Sequence, residues 1–129
     1  AGLHLLLAED NELNSEIATT LLEEQGASIT AVENGRLALE AIQNAAPRTY
    51  DAILMDVMMP EMNGLEATRC IRAFEGKGPG EGTPIIAMTA NVFADDVKAC
   101  LDAGMNSHVG KPLDMKVLIG EILKYTGAR

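Results

Sequence analysis

The chain has 129 residues, 47% of them hydrophobic and 22% charged, with a formal net charge of −9 at pH 7. That length fits a single domain spanning residues 1–129, long enough to bury a core, and the lack of Trp leaves that core to Leu, Ile, Val, Ala and Met. The acidic balance argues against a nucleic-acid backbone or an anionic membrane surface as partner, because both require a basic face.

The first apolar run, Leu3 to Ala8, is short and continuous, as in a strand covered on both faces. No basic segment precedes it and no run is long enough to cross a bilayer, so neither a signal peptide nor an anchor is expected. The chain begins at Ala1, as it would after removal of an initiator Met or within a longer polypeptide. Residues 11–25 then carry Leu13, Ile17, Leu21 and Leu22 at helical spacing, and Gly26 stops the helix. Ser28–Val32 reads as a second strand. Asn34 caps a second helix whose inward residues are Leu37, Ala38, Ala41 and Ile42, and Pro47 ends it.

Ala52–Asp56 is the third strand. Leu65–Phe74 is the third helix, with Ala67, Cys70, Ile71 and Phe74 on one side. Thr83–Met88 is the fourth strand, and Val92–Ala103 the fourth helix, capped by Asn91 and closed by Gly104. Ser107–Gly110 is a short fifth strand. Asp114–Tyr125 is the last helix, aligning Met115, Leu118, Ile119 and Ile122. Strand and helix alternate five times, which predicts an α/β (βα)5 fold, a doubly wound five-stranded parallel sheet with helices on both faces.

Two features invite chemistry and do not carry it. The glycine-rich stretch Gly76 to Gly82 lacks the earlier glycine of a phosphate-binding loop, Ile71 standing there, and its Lys77 is followed by Gly78. It also lies between a helix and a strand, which is the wrong order, so a surface loop is expected. Cys70 and Cys100 sit in helical patterns without metal spacing and read as small core residues in a reducing, cytoplasmic setting.

The informative residues are charged ones at strand ends. Glu9 and Asp10 follow the first strand, Asp56 closes the third, Thr89 follows the fourth and Lys111 the fifth. Charges beside buried strands are costly unless they bind something. In open α/β sheets ligands bind beyond the carboxyl ends of the strands, where strand order reverses. In a 2-1-3-4-5 strand order, strands one and three flank that crevice, so Asp10 and Asp56 would face each other. Three carboxylates held together repel unless a cation neutralises them, and oxygen donors without His or Cys suit Mg2+, Mn2+ or Ca2+. Lys111 offers a point charge for an anionic oxygen and Thr89 a hydroxyl. Such parts suit phosphoryl transfer, with a carboxylate as nucleophile.

These residues resemble the receiver domains of two-component response regulators. The resemblance covers essentially the whole chain and rests on Ala8-Glu9-Asp10-Asn11, on Met55 to Gly64, on Met88-Thr89-Ala90 and on Val109-Gly110-Lys111-Pro112. Asn11 to Asn14 and Ile85 to Ala90 look most like receivers fused to hybrid sensor histidine kinases. The resemblance implies a flavodoxin-like topology, with Asp56 as phosphoacceptor from a phosphohistidine on a histidine kinase or histidine phosphotransfer domain. It implies Mg2+, with Mn2+ as an alternative, held by Glu9, Asp10, Asp56 and the main-chain carbonyl of Met58. Thr89 and Lys111 would contact the phosphoryl oxygens, Lys111-Pro112 would be a cis peptide, and Met58 and Asn91 would tune the phosphoryl lifetime. Gly64 would permit the turn after the phosphorylation loop.

The domain would promote only its own phosphorylation and dephosphorylation, and so would not be an enzyme in its own right. It would be either a stand-alone regulator or a module of a histidine kinase, anchored in a membrane or not, whose other domains are then further partners. Phosphorylation adds about −1.5 to −2 charge; Thr89 would be drawn toward it, switching the face formed by the fourth helix, fifth strand and fifth helix. One position departs from the family pattern. His108 stands where receivers usually carry Tyr or Phe, and a smaller, polar, titratable ring predicts weaker or pH-dependent switching. His4, alone on the first strand, reads as structural, and the methionines around Asp56 as core and loop packing.

Three rivals fit less well. A haloacid-dehalogenase-type hydrolase needs an Asp two residues after the nucleophile, and Met58 is there. A flavodoxin needs a phosphate loop after strand one, where Glu9 to Glu12 would repel phosphate. A degenerate receiver acting only as a docking module would not be expected to retain Asp10, Asp56, Thr89 and Lys111 together.

Overall fold

A computed structural model describes residues 3–45, 49–57, 63–76, 83–89, 94–110 and 115–126. Its elements are β1 (His4–Ala8), α1 (Glu12–Glu24), β2 (Ser28–Val32), α2 (Gly35–Asn44), β3 (Ala52–Asp56), α3 (Gly64–Glu75), β4 (Ile85–Thr89), α4 (Ala94–Ala103), β5 (Ser107–Gly110) and α5 (Met115–Thr126). The strands form one sheet in the order β2-β1-β3-β4-β5, and every neighbouring pair is parallel. This is the doubly wound arrangement that the alternation predicts, with the flavodoxin-like strand order that the resemblance implies.

Side-chain alternation along the central strands feeds two cores. On one face Leu5, Leu7, Leu54, Ile86 and Met88 meet Ala18 and Leu22 of α1 and Leu118 and Ile122 of α5. On the other, Leu6, Ile53, Met55, Ile85 and Ala87 meet Ala38 of α2, Ala67 and Ile71 of α3, and Cys100 of α4. Because β3 is covered on both sides, all five of its residues are buried, Asp56 included.

Helix ends follow local chemistry. Asn11, Asn34 and Asn63 each sit before a helix with extended backbone and accept an N–H three residues on, from Asn14, Leu37 and Glu66. Each satisfies one of the donors a helix start leaves open. Gly26, Gly76 and Gly104 follow their helices with φ of 93°, 70° and 118°. The capping role expected of Asn91, and Pro47 as a helix stop, fall outside the described residues. So does residue 77–82 of the glycine-rich stretch, of which only Gly76 is described, as the left-handed cap of α3.

Several sequence expectations are corrected. β4 starts at Ile85, not Thr83. Pro84 has no N–H to give a ladder, although its carbonyl still accepts from Ile53 at 2.8 Å. On α1 only Ala18 and Leu22 are buried, whereas Leu13, Ile17 and Leu21 are 64%, 49% and 37% exposed. Successive residues advance about 100° around a helix, so this apolar arc is wider than the sheet can cover. On α3 the inward face is Gly64, Ala67, Thr68, Ile71 and Arg72; Cys70 is half-buried and Phe74 is exposed. Arg72 takes the inward place because its guanidinium finds acceptors there. Cys70 and Cys100 are both free thiols. His4 is structural, as expected: its Nε2 lies 2.9 Å from Thr30 Oγ1 and its ring packs on Tyr50.

Candidate metal centre

The site forms where β1 and β3 end. Ala8 pairs with Met55 and Asp56 pairs with Met88, so the ends of the three central strands lie level along one rim. The chain leaves β1 through Glu9, whose N–H donates to Val32 of β2 at 3.1 Å, and leaves β3 through Val57, whose N–H donates to Met88 at 3.1 Å. These bonds continue the ladder one step past the strands, and so hold Glu9 and Asp56 in strand-like geometry.

Glu9, Asp10 and Asp56 then offer carboxylate oxygens that all lie within 4.8 Å of one another. Glu9 and Asp56 are 5% and 4% exposed, while Asp10 is open to solvent. Glu9 Oε2 also accepts the Asn11 N–H at 3.1 Å, and Asn11 Oδ1 caps α1. One short segment therefore both starts a helix and aims a carboxylate. The donors are oxygens only, two sheltered and one open. That set suits a hard divalent cation that keeps water or substrate oxygens in its remaining positions.

Close packing completes the rim. The Gly64 N–H donates to the Val57 carbonyl at 3.0 Å, and α3 begins there. A side chain at Gly64 would run into the Asp56 carbonyl, so the glycine is required by close approach and not by the unusual backbone angle expected of a turn.

The other expected site residues are placed as follows. Thr89 ends β4, one residue beyond the partner of Asp56, with its backbone paired to Gly110. Lys111 follows Gly110 directly in the chain; Lys111, Pro112, Met58 and Asn91 lie outside the described residues. His108 is half-buried on β5 opposite Ala87. Two features escaped the sequence reading. One is the exposed apolar stripe of α1, signalled by an arc of apolar residues broader than one buried face needs. The other is buried Arg72, for which charge gave no signal.

The crevice is acidic, offers oxygen donors alone and lies where the order of a parallel sheet reverses. The model of the response regulator receiver domain matches residues 5–123, and the chain belongs to that family. It is 40% identical over 123 residues to the sensor protein GacS of Pseudomonas syringae pv. syringae, which covers 95% of this chain and 13% of that protein. The chain spans 13–14% of the length of the curated relatives it matches first. It superposes with a TM-score of 0.85 on the receiver domain of sensor histidine kinase PA1611 from Pseudomonas aeruginosa PAO1, at 38% identity over 98% of this chain and 99% of that one; that structure holds a magnesium ion in its active-site cleft. It superposes with a TM-score of 0.86, at 26% identity over 98% of this chain and 90% of that one, on the receiver domain of Ssk1, crystallised with the histidine phosphotransfer protein Ypd1 of Saccharomyces cerevisiae. The chain is thus a receiver domain of two-component phosphorelay signalling, of the kind carried by sensor histidine kinases. Among the described residues no helix is long and apolar enough to cross a membrane.

Proposed function

We propose that this chain accepts a phosphoryl group on Asp56 from a phosphohistidine and acts as a phosphoacceptor, not as a turnover enzyme. The observation that carries the reading is the convergence of Glu9, Asp10 and Asp56 within 4.8 Å at the sheet rim. An Asp56 oxygen attacks phosphorus, the bond from phosphorus to the donor imidazole nitrogen breaks, and the aspartyl phosphate forms. Mg2+ held by Glu9, Asp10 and Asp56, with the Met58 carbonyl, would neutralise charge on the transferred group; Mn2+ offers the same donor preference. Thr89 and Lys111 are assigned to the phosphoryl oxygens, Met58 and Asn91 to its lifetime, and Lys111-Pro112 to a cis peptide.

The phosphodonor is a histidine kinase or a histidine phosphotransfer domain, within the same polypeptide or outside it. The exposed stripe of Leu13, Ile17 and Leu21 begins one turn after Asp10, beside the acidic crevice. Glu12, Glu16, Glu23 and Glu24 are exposed on the same helix. An apolar helix with basic flanks, carrying the phosphohistidine near its exposed end, complements that face. The net charge of −9 supports a partner other than nucleic acid or an anionic membrane. Switching is assigned to α4, β5 and α5, through Thr89 and, more weakly than Tyr or Phe would provide, through His108.

Incubation with acetyl phosphate and Mg2+, followed by intact mass, tests the assignment. A single phosphoryl adduct is expected, absent in Asp56→Asn and absent in chelator. An adduct that survives in that variant would place the nucleophile elsewhere; no adduct in the unaltered chain would favour a docking module that works without phosphorylation.

A further inference from the structure

Arg72 is 4% exposed on the last turns of α3, and all three nitrogens of its guanidinium donate hydrogen bonds. Nε donates to the Gly104 carbonyl at 2.9 Å. One terminal nitrogen donates to the Thr83 carbonyl at 2.8 Å and to Glu75 Oε1 at 3.0 Å. The other donates to Asn106 Oδ1 at 2.8 Å. Glu75 Oε2 in turn accepts from Thr83 N and Oγ1 at 3.2 and 2.6 Å. Asn106 exchanges two bonds with Ile85, receiving its N–H on Oδ1 at 2.9 Å and giving its own N–H to the Ile85 carbonyl at 2.8 Å. One buried cation therefore ties together the end of α3, the start of β4 and the turn from α4 into β5.

A buried charge of this kind is tolerated only with its partners in place, and removing one member leaves the others unpaired. The chain around this turn is packed inward as well. Cys100, Ala103 and Met105 are buried, with Cys100 and Met105 in the core shared with Ala67 and Ile71 of α3. The helix joins this anchored turn at Gly104 itself, whose carbonyl Arg72 holds, with φ of 118° and no room for a side chain beyond Cα, where a Cβ would lie 2.9 Å from Arg72 Cγ. Hinges are formed by a few residues at element ends that absorb a change in backbone angle.

We infer that the Arg72 network is the fixed point of α4: when the state of Asp56 changes, α4 responds by pivoting at Gly104, and the displacement stops before Asn106. The inference rests on the phosphoacceptor reading above. It assigns Arg72 a positioning role at the end of the sheet opposite the acidic rim, so that a signal entering at the tops of β3 and β4 leaves through α4 without disturbing the bottoms of β4 and β5.

The test is residue-resolved amide spectroscopy and hydrogen exchange on the 129-residue chain, with and without beryllium fluoride and Mg2+, alongside the acetyl phosphate mass assay. In the unaltered chain, amides over residues 94–101 are expected to shift on loading while those of Ile85, Met105 and Asn106 hold still. In Arg72→Met, exchange at the Asn106 amide is expected to rise about ten-fold without loading, as local opening becomes easier, and the loading response to extend through 104–106. Arg72→Lys, with one compact donor in place of a fork, should fall between the two. Shifts at Asn106 and Ile85 as large as those in α4 of the unaltered chain would overturn the inference while leaving the phosphoacceptor reading intact. So would a folded Arg72→Met whose response stays confined. Absence of an adduct by mass would overturn the phosphoacceptor reading and the inference with it. Should Arg72→Met fail to fold, the unaltered chain alone decides.

Discussion

A methyl group on Gly64 would collide with the carbonyl oxygen of Asp56 and press on Met55 Cγ and Val57 Cα. The start of α3 and the end of β3 are thus packed backbone to backbone at the residue proposed to take the phosphoryl group. Gly64→Ala is expected to lower stability by about 1–3 kcal/mol, the usual cost of overpacking a tight site. It should also slow labelling of Asp56 by acetyl phosphate, because relief of the clash has to move the carbonyl or the helix. Chemical denaturation and the time course of the mass adduct check the two parts separately. A variant as stable and as fast as the parent would show that the rim is looser than its geometry implies.

The crowding of Glu9, Asp10 and Asp56 predicts a particular response to metal. Without a cation the three carboxylates repel, so Asp10→Asn should stabilise the metal-free domain by roughly 0.5–1 kcal/mol, the range for interactions between partly exposed charges. Mg2+ at 100 times its dissociation constant should stabilise the parent by about 2.7 kcal/mol, as mass action requires. The same concentration should do much less for the variant. Thermal melts with and without chelator give both quantities, and equal metal effects in parent and variant would remove Asp10 from the site.

The residues that reveal themselves in the sequence are those whose role is local or whose placement follows from topology. Asp56 is legible because an apolar run ends on it, and Asp10 because parallel order brings the end of strand one beside that of strand three. Gly26 and Gly104 are legible as helix stops because positive φ favours glycine. Gly64 is legible as required but not for the right reason, since its constraint is contact with a chain segment that only the fold brings near. Arg72 is not legible, because its four acceptors come from Glu75 of its own helix, from Thr83 just before β4, and from Gly104 and Asn106 in the turn between α4 and β5, segments that only the fold brings together. The α1 stripe is legible as a helix but not as an exposed one, because periodicity identifies apolar residues without saying which half of a wide arc the sheet will cover.

Asn34 joins the end of β2 to α2 and is itself 8% exposed, with Oδ1 accepting the Leu37 N–H at 2.9 Å. Asn34→Ala should cost about 1–2 kcal/mol, toward the upper part of the range for a lost helix cap because the orphaned N–H has little access to water. Asn34→Asp restores the acceptor and should recover most of that loss. α2 lies across the sheet from α1, so labelling by acetyl phosphate should change little. A denaturation midpoint that does not move would mean that water replaces the cap.

Exposure of Leu13, Ile17 and Leu21 separates two properties that a buried stripe would confound. Ile17→Asp removes no core packing, since Ala18 and Leu22 provide the buried contacts of α1. Its stability should stay within about 0.5 kcal/mol of the parent, as for surface changes generally. Labelling by acetyl phosphate, a donor too small to use a docking face, should be unchanged. Transfer from a phosphorylated histidine phosphotransfer protein should fall at least about ten-fold, in line with the loss of one well-buried apolar contact at an interface. The decisive quantity is the ratio of the two rates. Equal loss with both donors would mean that the substitution perturbs the acidic crevice through Asn11 and Glu9. No loss with either would move the docking surface off α1.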